Sequence, residues 1–89
     1  MEPDGTTHLD LDADIRRVIA ASIGVPLERV VDPASIMEDL GADSLLHMTV
    51  VMDLERRFGI MISDAEAARL VLVGDAVAAV RQRVTPPHG

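Results

Sequence analysis

The sequence has 89 residues, a net charge of −7, no cysteine, and 48% hydrophobic residues among which Phe58 alone is aromatic. This describes one small soluble domain with an aliphatic core and leaves no room for a catalytic domain joined to a separate cofactor domain. The 15 acids against 8 bases, all of them arginine, argue against a nucleic-acid or anionic-membrane surface, and the missing thiols exclude a disulfide framework, thiol catalysis and cysteine-ligated metal.

In chain order, residues 1–9 contain Pro3 and Gly5 and are expected to form a flexible tail, as are residues 85–89 (TPPHG). The carrier of structure is expected to be residues 10–84. A first helix is predicted from Asp10 to Ile23, with Leu11, Ile15, Val18, Ile19 and Ser22 on one face. Asp10, Asp12 and Asp14 suit its positive N-terminal end; Gly24 and Pro26 stop it. A long connection, Val25 to Asp43, is expected to be anchored under the helices by Leu27, Val30, Val31, Ile36, Met37 and Leu40. A second helix is predicted from Ser44 to Phe58, capped by Asp43 or Ser44 and ended by Gly59. Residues 59–62 alternate like a strand but have no evident partner strand, so they read as an extended connector. A short third helix follows from Asp64 to Leu70, with Ser63 and Glu66 as a capping box. A fourth runs from Gly74 to Val84 with a Val77, Val80 and Val84 stripe. The fold class is therefore all-α, a four-helix bundle with a long loop between helices 1 and 2.

The composition suits a reducing, cytoplasmic compartment. The first 14 residues carry five acids and no basic n-region of a secretory signal, and no apolar run approaches the ~20 residues of a membrane span.

The second helix carries two apolar stripes. Val50, Val51, Leu54 and Phe58 cluster on one side; Leu45, Met48 and Met52 lie nearly opposite. A surface helix of a small bundle needs one stripe for the core. The other is either buried as well or an exposed docking patch, and burying one helix on every side is difficult at this size.

Three sharper signals have plainer readings. Asp10, Asp12 and Asp14 resemble a calcium loop, but Ile15 stands where the glycine belongs and Ala21 where the closing glutamate belongs; an acidic helix start explains them. Ser44, His47 and Asp43 invite a hydrolase triad, but no nucleophile elbow or oxyanion loop accompanies them. His47 falls toward the Leu54 side and reads as a partly buried or capping histidine. His8, His47 and His88 lack metal-ligand spacing.

The run Glu38-Asp39-Leu40-Gly41-Ala42-Asp43-Ser44-Leu45 resembles the phosphopantetheine-attachment motif of the acyl carrier protein family, discrete type II. The resemblance extends over about residues 10–82: Gly24-Val25 and Val31-Asp32-Pro33-Ala34-Ser35 resemble the first-loop segment, Val51-Met52, Leu54-Glu55 and Phe58 the second helix, Ile62-Ser63-Asp64-Ala65-Glu66-Ala67 the segment after it, and Val73-Gly74-Asp75-Ala76-Val77 the fourth-helix start. It implies a carrier, not an enzyme. Ser44 would be the site at which a phosphopantetheinyl transferase attaches 4′-phosphopantetheine from coenzyme A. The arm's thiol would hold acyl groups as thioesters for fatty-acid, polyketide or related specialised biosynthesis. Helix-start chemistry agrees, since a phosphodiester there meets free N–H groups and the positive dipole end.

The resemblance further implies that Leu45, Met48 and Met52 meet partner enzymes, with Asp43, Glu55 and Asp64 facing basic partner residues. Val50, Val51, Leu54, Phe58, Ile62 and Leu70 would line the space sheltering an acyl chain. The partners implied are an acyltransferase, a ketosynthase or an acyl/adenylate ligase, with no nucleic acid and no membrane, and the chain itself a monomer. Leu46 and Thr49 stand where the fatty-acid type has acids, and Arg56 and Arg57 where the family often has glutamate. These departures point to a dedicated pathway with matched enzymes. Val71 and Leu72 leave the fourth helix without its usual Ser/Thr cap. The competing readings are a carrier of aminoacyl or other small-acid cargo, which Ala42-Asp43 disfavours over the acyl type, and a non-carrying interaction subunit.

Overall fold

The computed structural model describes residues 8–84. The tails expected at 1–9 and 85–89 fall outside these residues except for His8 and Leu9, which are helical. The helices are α1 (His8–Ile23), α2 (Ser44–Phe58), α3 (Asp64–Ala68) and α4 (Val73–Val84), with a 3₁₀ turn at Leu27–Arg29. The fold is all-α, as the periodicity predicts, and α1 packs against both α2 and α4.

The core is aliphatic. Ile15 and Ile19 of α1, Val50 and Leu54 of α2, and Val73 and Val80 of α4 are all within 1% of complete burial. Phe58 is half-buried against this cluster. Removing such side chains from water is the main stabilising term for so small a domain.

Both long helices before the connector end alike. Gly24 and Gly59 take left-handed φ values of 87° and 65°. The following N–H then turns back to an orphan carbonyl, Val25 to Ala20 O at 3.1 Å and Ile60 to Glu55 O at 3.1 Å. Helix boundaries differ from expectation by small, explicable amounts. α1 begins two residues early, because its nearest breakers are Gly5 and Pro3. α3 ends two residues early: Arg69 and Leu70 donate to the carbonyls three residues back, and this tighter winding leaves Leu70 buried.

The loop 24–43 is anchored, but by a different set of residues than expected. Val30, Ile36 and Leu40 are buried, joined by Ala34 and Ala42, whereas Leu27, Val31 and Met37 are 43–46% exposed. Sequential tight turns aim only some side chains inward, and alanines fit where the loop passes close to the core. The loop is also stitched to the start of α4. Ile36 donates to Val71 O, Val73 to Ala34 O and Gly74 to Asp32 O, at 2.9 to 3.0 Å, around an antiparallel bridge between Ser35 and Leu72. At Gly74 a Cβ would lie 3.3 Å from the Asp32 carbonyl oxygen, so this crossing favours glycine.

Asp75 explains how α4 starts without a Ser/Thr cap. Its Oδ2 accepts from the N–H groups of Leu72 at 2.9 Å and Val71 at 3.2 Å, which is the reach-back half of a capping box. Around α1 the acids serve the bundle: Asp14 pairs with Arg17 and Arg57, and Asp12 with Arg81 of α4.

Candidate functional site

The motif forms the entry to α2. Gly41 takes φ 80°, which swings the chain so that Ala42 is buried at 3% exposure and donates to Ile36 O. Asp43 is the N-cap: extended at φ −89°, ψ −175°, its Oδ1 accepts from Leu46 N–H at 2.8 Å. Its carbonyl accepts from His47 N–H at 2.8 Å and opens the helical ladder. Ser44 is therefore the first helical residue, and it is exposed.

Around it the side chains are settled by backbone contacts. His47 is half-buried, with Nε2 2.8 Å from the Leu70 carbonyl oxygen. A carbonyl only accepts, so Nε2 carries the proton and donates. The capping role expected of this histidine is what the structure shows, across elements rather than within its own helix. The triad reading fails on the same geometry, because the His47 Nε2 and the Asp43 Oδ1 are both spent on backbone groups. Upstream, Ser35 Oγ accepts from Glu38 N–H and Asp39 Oδ2 from Ser35 N–H, at 3.0 and 2.7 Å, which fixes the turn before Leu40.

Two clefts meet at Ser44. One, of about 290 Å³, is bordered by Met37, Glu38, His47, Leu70 and Val71. The other lies toward α3, bordered by Met48, Asp64 and Ala67. Beyond them, Leu45, Met48 and Met52 are 76%, 49% and 48% exposed. The second stripe of α2 therefore faces solvent. Val50, Val51, Leu54, Ile62 and Leu70 are buried together in the core, with Phe58 at its margin. Glu55 is half-buried and its Oε2 accepts from Ile62 N–H at 2.8 Å, tying α2 to the connector. Asp64 stands exposed at the first turn of α3, beside the Ser63 cap.

The contacts that sequence reasoning missed are side chains reaching across elements: Ser22 Oγ donating to Asp53 Oδ2 at 2.5 Å, Glu55 to the connector, and Arg83 to Met61 O and the Glu66 carboxylate. Asp75 alone had a readable signal, an acid in the first turn of a predicted helix.

Residues 13–80 match the protein family described as "Phosphopantetheine attachment site". Over 76 residues the chain is 36% identical to an acyl carrier protein of Desulforapulum autotrophicum, covering 84% of this chain and 99% of that one. The chain belongs to this family. It is also 39% identical over 71 residues to an acyl carrier protein of Exiguobacterium, covering 80% and 90% of the two chains. The structure of the acyl carrier protein from Enterococcus faecalis superposes with a TM-score of 0.71 at 31% identity, over 88% of this chain and 99% of that one. Phosphopantetheine-linked thioesters are therefore this chain's business, and as an acyl carrier protein it is handled by enzymes rather than being one. Among the described residues no helix is long and apolar enough to cross a membrane.

Proposed function

We propose that Ser44 is the residue to which 4′-phosphopantetheine is attached. The observation that carries this is the position of Ser44: an exposed hydroxyl on the first residue of α2, inside the attachment-like motif 38–45. The chain's own chemistry fits the group. The first N–H groups of a helix have no intrahelical acceptor and favour an anion, and the cleft beside Ser44 offers Met37, Leu70 and Val71 to the apolar parts of an arm. When attached, the group supplies a thiol on a flexible tether, which holds acyl cargo as a thioester.

The residues around it divide the remaining work. Asp43 fixes the helix start that presents Ser44, and with Asp64 makes its surroundings acidic, which suits basic residues on a phosphopantetheinyl transferase. Leu45, Met48 and Met52 are the apolar contact for partner enzymes such as an acyltransferase, a ketosynthase or an acyl ligase. Val50, Val51, Leu54, Phe58, Ile62 and Leu70 are the side chains a sheltered acyl chain would part. The pathway is fatty-acid, polyketide or related specialised biosynthesis. Arg56 and Arg57 favour the last two, with dedicated partners. We assign the chain, as a monomer, to the cytoplasm, where coenzyme A and such enzymes meet.

The test is intact mass after incubation with coenzyme A, magnesium and a broad-specificity transferase. A gain of one phosphopantetheine in the parent and none in Ser44→Ala is the expected result. A folded parent that gains nothing from several transferases, or a Ser44→Ala variant that still gains, overturns the assignment.

A further inference from the structure

The exposed line along α2 does not end with its three apolar residues. At 100° per residue, Leu45, Met48, Met52 and Arg56 fall within about 80° of one another, and all four are exposed. The two acids of the helix are engaged elsewhere: Asp53 accepts from Ser22 on α1, and Glu55 accepts from the Ile62 N–H. Arg57 is also engaged, 3.5 Å from Asp14 and stacked over the Phe58 ring at 5.9 Å. Arg56 has no hydrogen-bond or ion-pair partner among the described residues. Its charge is not required to finish the helix, because Gly59 already closes the last turn and Arg57 complements the dipole.

Acids surround the N-terminal end of α2. Glu38 and Asp64 border the two clefts that contain Ser44, and Asp43 precedes it, all three exposed. The surface thus runs from acidic around Ser44, through an apolar stretch, to a cation with no direct partner among the described residues, twelve residues on, about 18 Å along the helix axis at 1.5 Å per residue. A groove of about 370 Å³ between α1 and α2 opens beside Arg56, lined by Val18, Ala21 and Ser22 of α1 and by Asp53 and Arg57 of α2, with room for a short side chain approaching the guanidinium.

We propose that α2 docks a partner enzyme with polarised complementarity: basic residues at the mouth that receives Ser44, sockets for Leu45, Met48 and Met52, and a carboxylate that meets Arg56 about 18 Å from that mouth. An enzyme whose whole docking surface is basic is repelled at the Arg56 end. The arginine thereby selects partners and fixes the direction in which α2 lies on them. Charges at an interface rim act on encounter rate and on rejection of wrong partners more than on affinity. The proposal rests on Ser44 being the attachment site.

The experiment uses the full chain and two phosphopantetheinyl transferases, one with an arginine-rich carrier-binding surface and one with a carboxylate at the far end of that surface. Transfer to Ser44 is followed by intact mass. With the arginine-rich enzyme, Arg56→Glu raises kcat/KM several-fold over the parent. With the carboxylate-bearing enzyme the same change lowers it several-fold, and both effects shrink as salt is added. Arg17→Glu, an equal change of net charge on α1, separates local from overall charge: it leaves the two enzymes' ratio unchanged. Overturning results are an Arg56→Glu variant that shifts both enzymes in the same direction or neither, and an Arg17→Glu variant that reproduces its effect. A parent that gains no mass with either enzyme fails the Ser44 assignment itself, and the docking proposal falls with it.

Discussion

Ser44 is presented by Asp43. The carboxylate of Asp43 holds the Leu46 N–H at 2.8 Å, so the helix starts at a defined residue and the serine next to the cap projects into solvent. Removing a capping side chain typically costs about 1 kcal/mol. Asp43→Ala is expected to lower the thermal midpoint accordingly, with Asp43→Asn recovering most of the loss. An unchanged midpoint in Asp43→Ala would mean that another group caps α2. His47 is the second pivot. Its bond to the Leu70 carbonyl joins α2 to the segment leading into α4, and the acceptor is buried with its residue. His47→Ala strands that carbonyl, at about 1 to 3 kcal/mol. Amide exchange should quicken around 68–72 more than in α1; a uniform change would speak against a local tie.

At the scale of the element, α2 is two surfaces on one rod. Leu54 is completely buried and Leu45 is 76% exposed, so the same substitution has opposite consequences nine residues apart. Leu54→Ala is expected to destabilise the fold by about 2 to 5 kcal/mol. Leu45→Ala should stay within about 0.5 kcal/mol and act instead on the rate of transfer by partner enzymes. Chemical denaturation of both variants checks the contrast; a costly Leu45→Ala would show that this stripe also stabilises the fold. α4 is held at its start by Asp75, which accepts from two N–H groups. Asp75→Ala should fray the α4 start and with it the pairing of 34–36 to 71–73, seen as faster exchange of the Ile36 and Val73 amides.

The whole molecule has a net charge of −7, and ion pairs such as Arg16 with Asp32 at 2.8 Å or Arg17 with Asp14 at 2.9 Å are partly open to solvent. Such pairs are each worth at most about 1 kcal/mol, while repulsion among the surplus acids opposes the compact state. The thermal midpoint is therefore expected to rise as salt is added at neutral pH. A falling midpoint would show that the pairs outweigh the repulsion. Cargo also acts at this scale. Loading a saturated acyl chain should shift the methyl resonances of Val50, Val51, Leu54, Ile62 and Leu70 together with the Phe58 ring; shifts confined to Leu45, Met48 and Met52 would place the cargo outside.

Local patterning was enough to read the all-α class, α2 to the residue, the glycine stops at 24 and 59, the serine cap of α3 and the motif around Ser44. These are local properties: helical periodicity, a cap three residues from its N–H, a left-handed position that only glycine takes easily. It also showed that α2 has two apolar stripes, but not which one faces water. Burial depends on what α1 and α4 bring against the helix, and those contacts are distant in sequence. The same reason explains the loop 24–43, where apolar spacing named Leu27, Val31 and Met37 as anchors while Ala34 and Ala42 took up inward positions. It explains why pairing arose between Ser35 and Leu72, segments that carry no strand pattern. Above all, the packing of α2 against its neighbours settles which of its charged groups have direct partners. Asp53, Glu55 and Arg57 are engaged by Ser22, the Ile62 N–H and Asp14, partners between 7 and 43 residues away, and only that three-dimensional accounting leaves Arg56 exposed to a partner.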